Sequence, residues 1–490
     1  MLRVLACLLL VVLTACTPGK KAPEERRATL VFVSDLWGQL EPCGCSADMK
    51  GGLDRMATVL SGLRAEAPVL LVDVGDALFD QDSYRPEEEV QARIRGRAVA
   101  RALLRMGLGA KVVGERDRVL DASAWLPKEV LIEAPSIRRV GGIEVGLLPV
   151  GESPDPAKVR EQADALRGRG ADVVVALVHT RRSEAPRLGL TGVDLVVGSH
   201  MEAIPEGDRT VALDGPPPVL YPLGRGQGVL QVDLWLRAEG QPFAIAATDA
   251  RRKEEIQAID ERIRAYEERL SAAPEAAGAL REKIDELRGR RDELARAPVE
   301  VPAEGNVLRH RFVTVESSLA QDPEVLAILR EYDREVGEAN LAYAKENPRP
   351  CPEPVDGEAV FVGQEACASC HPAAQTFWET TSHSRAYATL EQANKQYDLS
   401  CISCHVTGWD RPGGACRIDR VEARKDVGCE SCHGPGSLHV QAPTRDNIDL
   451  RVPEAACRSC HRPDHSLEFD YATYLGRILG PGHGKKMEAP

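Results

Sequence analysis

Hydrophobic and polar positions divide the chain into regions of different periodicity. Between residues 28 and 250, short apolar runs alternate with longer amphipathic segments, and a polar residue follows most of the runs. This alternation predicts an α/β domain, in which polar side chains gather at the carboxyl ends of the strands. The predicted strands occupy 29–33, 69–74, 112–113, 173–178 and 195–197, and a mixed β run follows at 211–236.

Residues 251–298 have the spacing of a coiled coil. Apolar side chains recur every three or four residues on both sides of Pro274, with charged residues between them. Because Pro274 and Gly278 interrupt the pattern, we predict two antiparallel helices in a coiled-coil hairpin, with one long helix as the alternative. The hairpin would separate the two ends of the molecule or form a dimer contact. Its apolar positions are Ile256, Ile259, Ile263, Tyr266, Leu270, Leu280, Ile284, Leu287 and Leu294.

The segment 299–357 connects the hairpin to the last region. It contains a predicted strand at 307–317 and a predicted helix at 322–345, followed by a stiff proline-rich linker at 347–354. From 358 to 490, conventional core residues are sparse. We therefore expect a multidomain fold that consists of an α/β sandwich, a helical hairpin, a connector and a mostly α C-terminal domain.

The first 16 residues have the features of a bacterial export signal. Arg3 precedes an apolar run at 4–13 that is too short to span a bilayer. Leu-Thr-Ala-Cys at 13–16 resembles a lipobox, in which Cys16 is acylated and becomes the mature N-terminus; an ordinary signal peptide is the alternative. With 17–27 as a polar tether, we expect a bacterial periplasmic protein that a lipid anchors to a membrane, the outer membrane being favoured.

Four copies of Cys-x-x-Cys-His occur in the last quarter of the chain. The motif attaches c-type haem, because its thiols add to the haem vinyl groups and its histidine is the proximal iron ligand. Cys-x-x-Cys pairs also form zinc sites, but zinc does not require a histidine after every pair. We predict four covalent haems, attached through Cys367 and Cys370, Cys401 and Cys404, Cys429 and Cys432, and Cys457 and Cys460, with His371, His405, His433 and His461 as proximal ligands.

Four further histidines are candidates for the distal ligand position, namely His383, His439, His465 and His483. Two histidines on one iron make a low-spin electron carrier of low potential. His439 and His465 follow a proximal histidine so closely that each would more easily serve a neighbouring haem. His383 lies on a predicted helix at 373–390, which would carry it to the distal face of another haem. Surface histidines are the alternative for all four.

Charge and cysteine content limit the partners and the compartment. A net charge of −13 argues against nucleic acid as a general partner. Cys43, Cys45, Cys351 and Cys416 belong neither to a haem motif nor to the export signal. An oxidising compartment would allow two disulfides among these four cysteines, and the pairing remains open.

Four polar residues at predicted strand ends are candidate metal ligands, namely Asp35, Asp76, His179 and His200. Carboxylates and imidazoles bind divalent cations such as Mn, Zn, Fe or Ca. Asp35 and Asp76 would bridge two ions, as in the two-metal hydrolysis of phosphoesters. Solvated turn residues are the alternative.

The C-terminal region resembles the tetrahaem cytochrome family of nitrifying bacteria over 358–483. The resemblance implies stacked haem pairs, mostly two-histidine ligation, and electron transfer between a periplasmic or membrane donor and acceptor. Some relatives leave one haem open to ligands or act on nitrogen oxides or hydroxylamine, so a redox enzyme is an alternative. The residues that carry the resemblance are 367–371 followed by Trp378 and His383, 401–409 ending in Trp409, and 428–436 ahead of His439.

The N-terminal region resembles the metallophosphoesterase domain of 5′-nucleotidases over 28–240. The matching motifs are 34–42, 51–55, 75–76, 177–179 and 198–200. Three departures concern the family's imidazoles. Trp37 replaces a histidine, 114–117 read Gly-Glu-Arg-Asp instead of Gly-Asn-His-(Asp/Glu), and Glu202 replaces the second histidine of Gly-x-His-x-His.

Carried over to this chain, the resemblance implies the metal ligands Asp35, Asp76, Glu115, His179, His200 and Glu202. Arg116 replaces the histidine that would stabilise the transition state, and an arginine cannot easily act as an acid. Cys43 and Cys45 would be alternative soft ligands. We expect a scaffold that has lost or altered its hydrolase chemistry; a bifunctional phosphohydrolase with a redox arm is the alternative.

Overall fold

Strands dominate the first part of the chain and short helices the last. The computed structural model describes residues 25–42, 49–122, 125–151, 154–200, 211–213, 217–246, 249–272, 277–296, 301–462, 466 and 469–483. Within these residues the strands are β1 (Arg26–Val33), β2 (Val69–Asp73), β3 (Leu108–Val112), β4 (Leu131–Ile132), β5 (Ser136–Val140), β6 (Ile143–Val150), β7 (Val173–His179), β8 (Leu195–Ser199), β9 (Val211–Leu213), β10 (Val219–Tyr221), β11 (Gly228–Leu236), β12 (Phe243–Ile245) and β13 (Asn306–Thr314). The α-helices are α1 (Leu53–Glu66), α2 (Pro86–Arg105), α3 (Pro156–Gly168), α4 (Asp249–Ala272), α5 (Ala277–Arg296), α6 (Pro323–Glu346), α7 (Glu365–Ala368), α8 (Pro372–Trp378), α9 (Ala386–Gln392), α10 (Leu399–His405), α11 (Cys429–His433), α12 (Ser437–Gln441), α13 (Glu454–Arg458) and α14 (Tyr471–Ile478).

The strands form two sheets. The first has the order β12-β13-β11-β1-β2-β3-β4, and the second has the order β5-β6-β7-β8-β10-β9. β1 and β2 are parallel in the first sheet, as β7 and β8 are in the second. Because the carboxyl ends of neighbouring parallel strands meet at one edge, the residues that follow each pair lie close together.

The side chains of β1 alternate between two cores. Val31 and Val33 belong to the core that the first sheet shares with α1, α2 and α6. Leu30 and Phe32 point to the other face, into the core between the two sheets. A third core lies between the second sheet and α3. The N-terminal part is therefore a sandwich of two sheets with helices on both outer faces.

β13 and α6 extend this sandwich beyond residue 250. β13 pairs with β11 in antiparallel register, and α6 packs on α1 and α2. The sequence pattern predicts both elements in the connector 299–357, because a local pattern does not show which sheet a strand joins. α4 and α5, which precede β13, pack against each other through Ile259, Ile263, Ile284 and Leu287. A dimer contact through these two helices stays a prediction.

The prediction of one helix over 373–390 was wrong. The structure has α8, then a 3₁₀ helix at Ser382–Arg385, then α9. The hydroxyls of Thr380 and Thr381 donate to the carbonyl oxygens of Phe377 and Trp378, which competes with helix continuation after α8. His383 therefore lies on the 3₁₀ turn between two short helices.

A buried polar network joins the sandwich to the C-terminal region. Gln91 of α2 donates to Asp398 Oδ1 at 2.6 Å and accepts from Asn340 of α6 at 2.7 Å. The hydroxyl of Tyr332, also on α6, donates to Asp398 Oδ2 at 3.0 Å. Asp398 caps α10, which carries the second Cys-x-x-Cys-His motif. Because these buried side chains hydrogen-bond one another across three helices, the network orients this motif on the sandwich.

Cys351 and Cys416 form a disulfide that spans 65 residues of sequence. It attaches the proline-rich linker to the C-terminal region. The structure thus selects one pair among the four remaining cysteines, whereas Cys43 and Cys45 lie outside the described residues.

Candidate functional site

Four predicted ligand residues lie at the carboxyl ends of four strands. Asp35 and Asp76 follow β1 and β2, His179 ends β7, and His200 follows β8. Asp35, Asp76 and His200 have φ angles of 50°, 55° and 73°, in the left-handed region that residues other than glycine rarely occupy. Strained backbone of this kind is concentrated at functional sites.

Asp76, His179 and His200 form a cluster that fits one divalent cation. Asp76 Oδ2 lies 3.3 Å from His179 Nε2 and 3.4 Å from His200 Nδ1. These three buried atoms have no hydrogen-bond partner within the described residues, and the ligand atoms lie within 4.8 Å of one another. Two imidazoles and a carboxylate are typical ligands of a transition metal. Burial opposes both charges, but their contact lowers the pKa of Asp76 and raises the pKa of His179.

Neighbouring polar groups orient this cluster. Ser199 Oγ lies 2.8 Å from His179 Nδ1, so Nε2 is directed at Asp76. The backbone N–H of His200 donates to the Asp35 carboxylate, at 2.9 Å from Oδ2 and 3.1 Å from Oδ1. Asp35 therefore supports the loop that carries a candidate ligand and is not itself in the cluster.

The structure brings together three of the six predicted metal ligands. Glu115 is exposed at the start of the 3₁₀ helix Arg116–Arg118 and lies outside the cluster found within the described residues. Glu202 lies outside the described part of the chain, as do the alternative ligands Cys43 and Cys45.

Asp117 and Lys111 support the cluster, and neither is among the site residues that the sequence pattern predicts. Asp117 accepts hydrogen bonds from the backbone N–H groups of 76–78 at 2.9–3.0 Å, which holds the loop after β2. Lys111 Nζ donates to Asp117 at 2.7 Å and to Asp73 at 2.6 Å, and the three side chains are at most 1% exposed. Burial is the main cause that raises the pKa of Asp73 to about 6. The signal in the sequence was one lysine directly before the predicted strand at 112–113.

We expect Lys111→Met to destabilise the protein by about 3–5 kcal/mol, because it leaves two buried carboxylates without their counter-ion. Urea unfolding followed by circular dichroism measures the shift in midpoint. Lys128→Met removes an exposed lysine of the same domain and should change stability by less than about 0.5 kcal/mol. Equal midpoints for the two variants would contradict the supporting role of Lys111.

The haem motifs lie on or next to short helices of the C-terminal region. All eight motif cysteines are free of disulfides. His405 Nδ1 lies 2.6 Å from the carbonyl oxygen of Ala386, and His433 Nδ1 lies 2.6 Å from that of Asp449. A hydrogen bond from Nδ1 leaves Nε2 as the ligand atom, so these histidines fit the proximal position on iron.

Three pairs of histidine rings have the separation expected for two ligands of one iron. A metal–nitrogen bond to imidazole is about 2 Å and the ring centre lies roughly 1 Å farther, so two such rings have centres about 6 Å apart. Each pair combines a predicted proximal histidine with a distal candidate that is distant in sequence. The centre separations are 6.4 Å for His371 and His439, 6.3 Å for His461 and His383, and 6.5 Å for His433 and His483.

Three of the paired histidines have pKa values that suit iron binding. Burial lowers the pKa of His383, His461 and His483, which favours the neutral imidazole that binds metal. His405 belongs to no such pair within the described residues. The remaining distal candidate, His465, lies outside them.

Contacts between attachment cysteines show which motifs are neighbours. The thiol of Cys367 lies close enough to that of Cys429 to raise its own pKa, and the pKa of the Cys460 thiol is raised in the same way by Cys404. Burial, and then the nearby Cys457, raises the pKa of Cys432 to about 11. In the haem-bound protein these sulfurs would be thioethers, so their contacts mark adjacent haem edges. The motifs therefore follow the spatial order second, fourth, third, first.

Residues 366–434 match the family model described as cytochrome c554 and c-prime. These residues contain the first three haem motifs. A segment of 72 residues is 34% identical to cytochrome c-554 of Nitrosomonas europaea, over 12% of this chain and 31% of that protein. The chain thus spans about a third of the curated relative that it matches. The resemblance of the C-terminal region to this cytochrome family is confirmed, and it implies covalent haem c.

Several solved structures are partly similar to the chain. A 5′-nucleotidase precursor from Thermus thermophilus has a TM-score of 0.41 and 16% identity, over 69% of this chain and 61% of that chain. The sulfate thiohydrolase SoxB of the same organism has a TM-score of 0.38 and 15% identity, over 71% of this chain and 68% of that chain. The calcineurin-like phosphoesterase YfkN of Bacillus subtilis has a TM-score of 0.39 and 12% identity, over 66% of this chain and 99% of that chain.

Proposed function

We propose that this chain is a lipid-anchored periplasmic cytochrome that transfers electrons through four haems, joined to an α/β domain without hydrolase activity. The observation that carries the proposal is the set of three histidine pairs with ring centres 6.3–6.5 Å apart. When bound, haem supplies an iron that gains and loses one electron. The two histidines of each pair would hold that iron from both sides, which would favour electron transfer over the binding of ligands.

The spatial order of the motifs supports a path through the C-terminal region. The second motif, at one end of this order, is held against the sandwich by the network around Asp398. At the other end, Cys370 and His371 of the first motif are exposed. We infer that electrons enter and leave near these two ends, in contact with a periplasmic or membrane donor and acceptor.

Two features support export. The disulfide between Cys351 and Cys416 suits an oxidising compartment, in which such bonds persist. The lipobox-like segment 13–16 supports anchoring through Cys16, and it lies outside the described residues. In the part of the chain that the structure describes, no helix combines the length and the apolar character that crossing a bilayer requires.

A potentiometric titration followed by absorbance tests electron transfer. Reduction of the full-length protein should take up four electrons per chain, and electron paramagnetic resonance of the oxidised protein should show at least three low-spin haems. Fewer than three low-spin haems would contradict the histidine pairs on which the proposal rests.

A second candidate is a redox enzyme that acts on small nitrogen compounds at one open haem. It is favoured by His405, which has no paired histidine ring within the described residues. A high-spin signal in the oxidised protein that disappears when hydroxylamine is added would support this candidate. Four low-spin haems would exclude it.

We expect weak or absent turnover of 5′-nucleotides or sugar nucleotides with added Mn²⁺ or Zn²⁺. Trp37 and Arg116 replace histidines of the metallophosphoesterase motifs. The backbone N–H of Arg116 also donates a hydrogen bond to Asp76 Oδ1 at 2.9 Å. Release of phosphate is the measurement, with an active 5′-nucleotidase as the control for assay conditions. Rates typical of enzymes, about 1–1000 per second, would overturn the expectation.

A further inference from the structure

A lysine at the boundary between the sandwich and the C-terminal region lies between two carboxylates. Lys395 Nζ contacts Asp333 Oδ1 of α6 at 2.6 Å, and it also contacts the carboxylate of Glu41, between β1 and α1. The Asp333 side chain is 12% exposed, whereas those of Lys395 and Glu41 are 22% and 32% exposed. Because one ammonium group cannot neutralise two carboxylates, the cluster keeps an excess of negative charge, and Asp333 is its least accessible member.

This cluster is joined to the helix of the second haem motif. The backbone N–H of Asp398 donates to the carbonyl oxygen of Lys395 at 3.0 Å, and the N–H of Cys401 donates to that of Asp398 at 3.0 Å. Two consecutive hydrogen-bonded turns therefore connect Lys395 to the first attachment cysteine of the motif. Six residues of helical rise span roughly 10 Å. A haem attached through Cys401 and Cys404 would thus lie within electrostatic reach of the cluster.

The other charged and titratable groups around Asp333 do not replace Lys395 as its counter-ion. Arg95 lies 3.7 Å from Asp398 and donates to Asp80 at 2.9 Å, so its positive charge is shared by two other carboxylates. The hydroxyl of Tyr332 is neutral and donates to Asp398. Within the described residues these groups come from α2, α6 and the segment before α10, namely Arg95, Tyr332, Tyr397, whose ring lies next to Gly337, and Asp398.

The pKa values of the cluster agree with its geometry. Burial is the main cause that raises the pKa of Asp333 to about 6, and the negative charges of Glu41 and Asp398 act in the same direction. Burial opposes the charge of Lys395, but the two carboxylates raise its pKa above the ordinary value, so the lysine stays protonated. Asp333 is therefore the member of the cluster whose charge changes around pH 6. An electron added nearby would favour its neutral, protonated form.

We propose that Asp333 takes up a proton when the second haem, attached through Cys401 and Cys404, is reduced, and releases it when that haem is oxidised. The electron comes from the electron donor of the chain and converts Fe(III) to Fe(II). The proton comes from solvent and converts the Asp333 carboxylate to the carboxylic acid, so the two steps together leave the charge of the region unchanged. This inference rests on the proposed electron transfer and adds that a residue of the sandwich couples it to protons.

Potentiometric titration of the full-length, haem-loaded protein at pH values from about 5 to 8 tests the coupling. Below about pH 6 Asp333 is protonated in both redox states, so the potential of the second haem should not change with pH. At higher pH, reduction requires proton uptake, and the potential should fall until Asp333 is ionised in both states. A proton affinity that rises about tenfold on reduction corresponds to a total fall of about 59 mV for one electron.

The second haem must be identified among the four potentials. His405→Met changes its proximal ligand, and a methionine ligand raises the potential of a haem. The potential that rises in this variant therefore belongs to the second haem. The same potential in the wild-type protein should be the one that falls with rising pH.

Asp333→Asn removes the proton site and should abolish this fall, while Lys395 keeps Glu41 as a partner. Glu338→Gln removes an exposed carboxylate from the same helix and should leave the pH dependence unchanged. In Lys395→Gln the loss of the cation should raise the proton affinity of Asp333, so the fall should begin at a higher pH. This third variant tests the proposal even if Asp333→Asn does not fold.

The outcomes separate this inference from the proposed function. A pH dependence that persists in Asp333→Asn would assign the proton to another group, such as a haem propionate, and would overturn the coupling. Four haems that are reduced reversibly at potentials independent of pH would also overturn it, but they would leave electron transfer intact. A second haem that cannot be reduced reversibly would contradict both.

Discussion

Pyridine haemochrome analysis should give four haems per chain for protein that is made in a host with cytochrome c assembly. Each motif contains both thiols and the proximal histidine within five consecutive residues, so attachment depends on local sequence. The fourth motif is the sharpest test, because it lies outside the residues that match the cytochrome c554 family model. The double variant Cys457→Ser, Cys460→Ser should therefore contain three haems and stain more weakly after denaturing electrophoresis.

The control for this experiment is Cys351→Ser, which removes a disulfide cysteine and no haem attachment. It should keep four haems per chain. A wild-type ratio clearly below four, or an unchanged ratio in the double variant, would show that the fourth motif does not bind haem.

Replacement of His383 by alanine should convert one low-spin haem to a high-spin or water-ligated one. The ring of His383 faces that of His461 with centres 6.3 Å apart, so the affected haem should be the one attached through Cys457 and Cys460. Loss of an electron-donating imidazole should raise its potential, on the order of 100 mV. All four haems should remain attached, because attachment does not require the distal ligand. Electron paramagnetic resonance and potentiometry measure the two effects.

The matched control is Ser382→Ala, which changes an exposed residue on the same 3₁₀ turn. It should leave the low-spin count and the potentials as they are in the wild type. An unchanged low-spin count in His383→Ala would show that His383 is not an axial ligand.

The candidate metal site shows which features a local sequence pattern predicts and which it does not. The apolar runs predicted strands whose ends carry Asp35, Asp76, His179 and His200, and the structure has all four at strand ends. The pattern did not predict that Asp35 is held by the His200 backbone or that Asp117 binds the loop at 76–78. The first contact joins the two sheets and the second joins two loops of the first sheet, and no single segment of the sequence encodes either distance.

The sequence by itself determined the chemistry that the chain offers. Its four Cys-x-x-Cys-His motifs bring their own ligands together, because neighbours in sequence are neighbours in space. The tertiary structure determined which strands, helices and side chains contact each other. It placed β13 and α6 in the sandwich, joined Cys351 to Cys416, and set His383 opposite His461. Each of these contacts joins parts of the chain that are distant in sequence. Packing and strand register determine such contacts, and a local sequence pattern contains information on neither packing nor register.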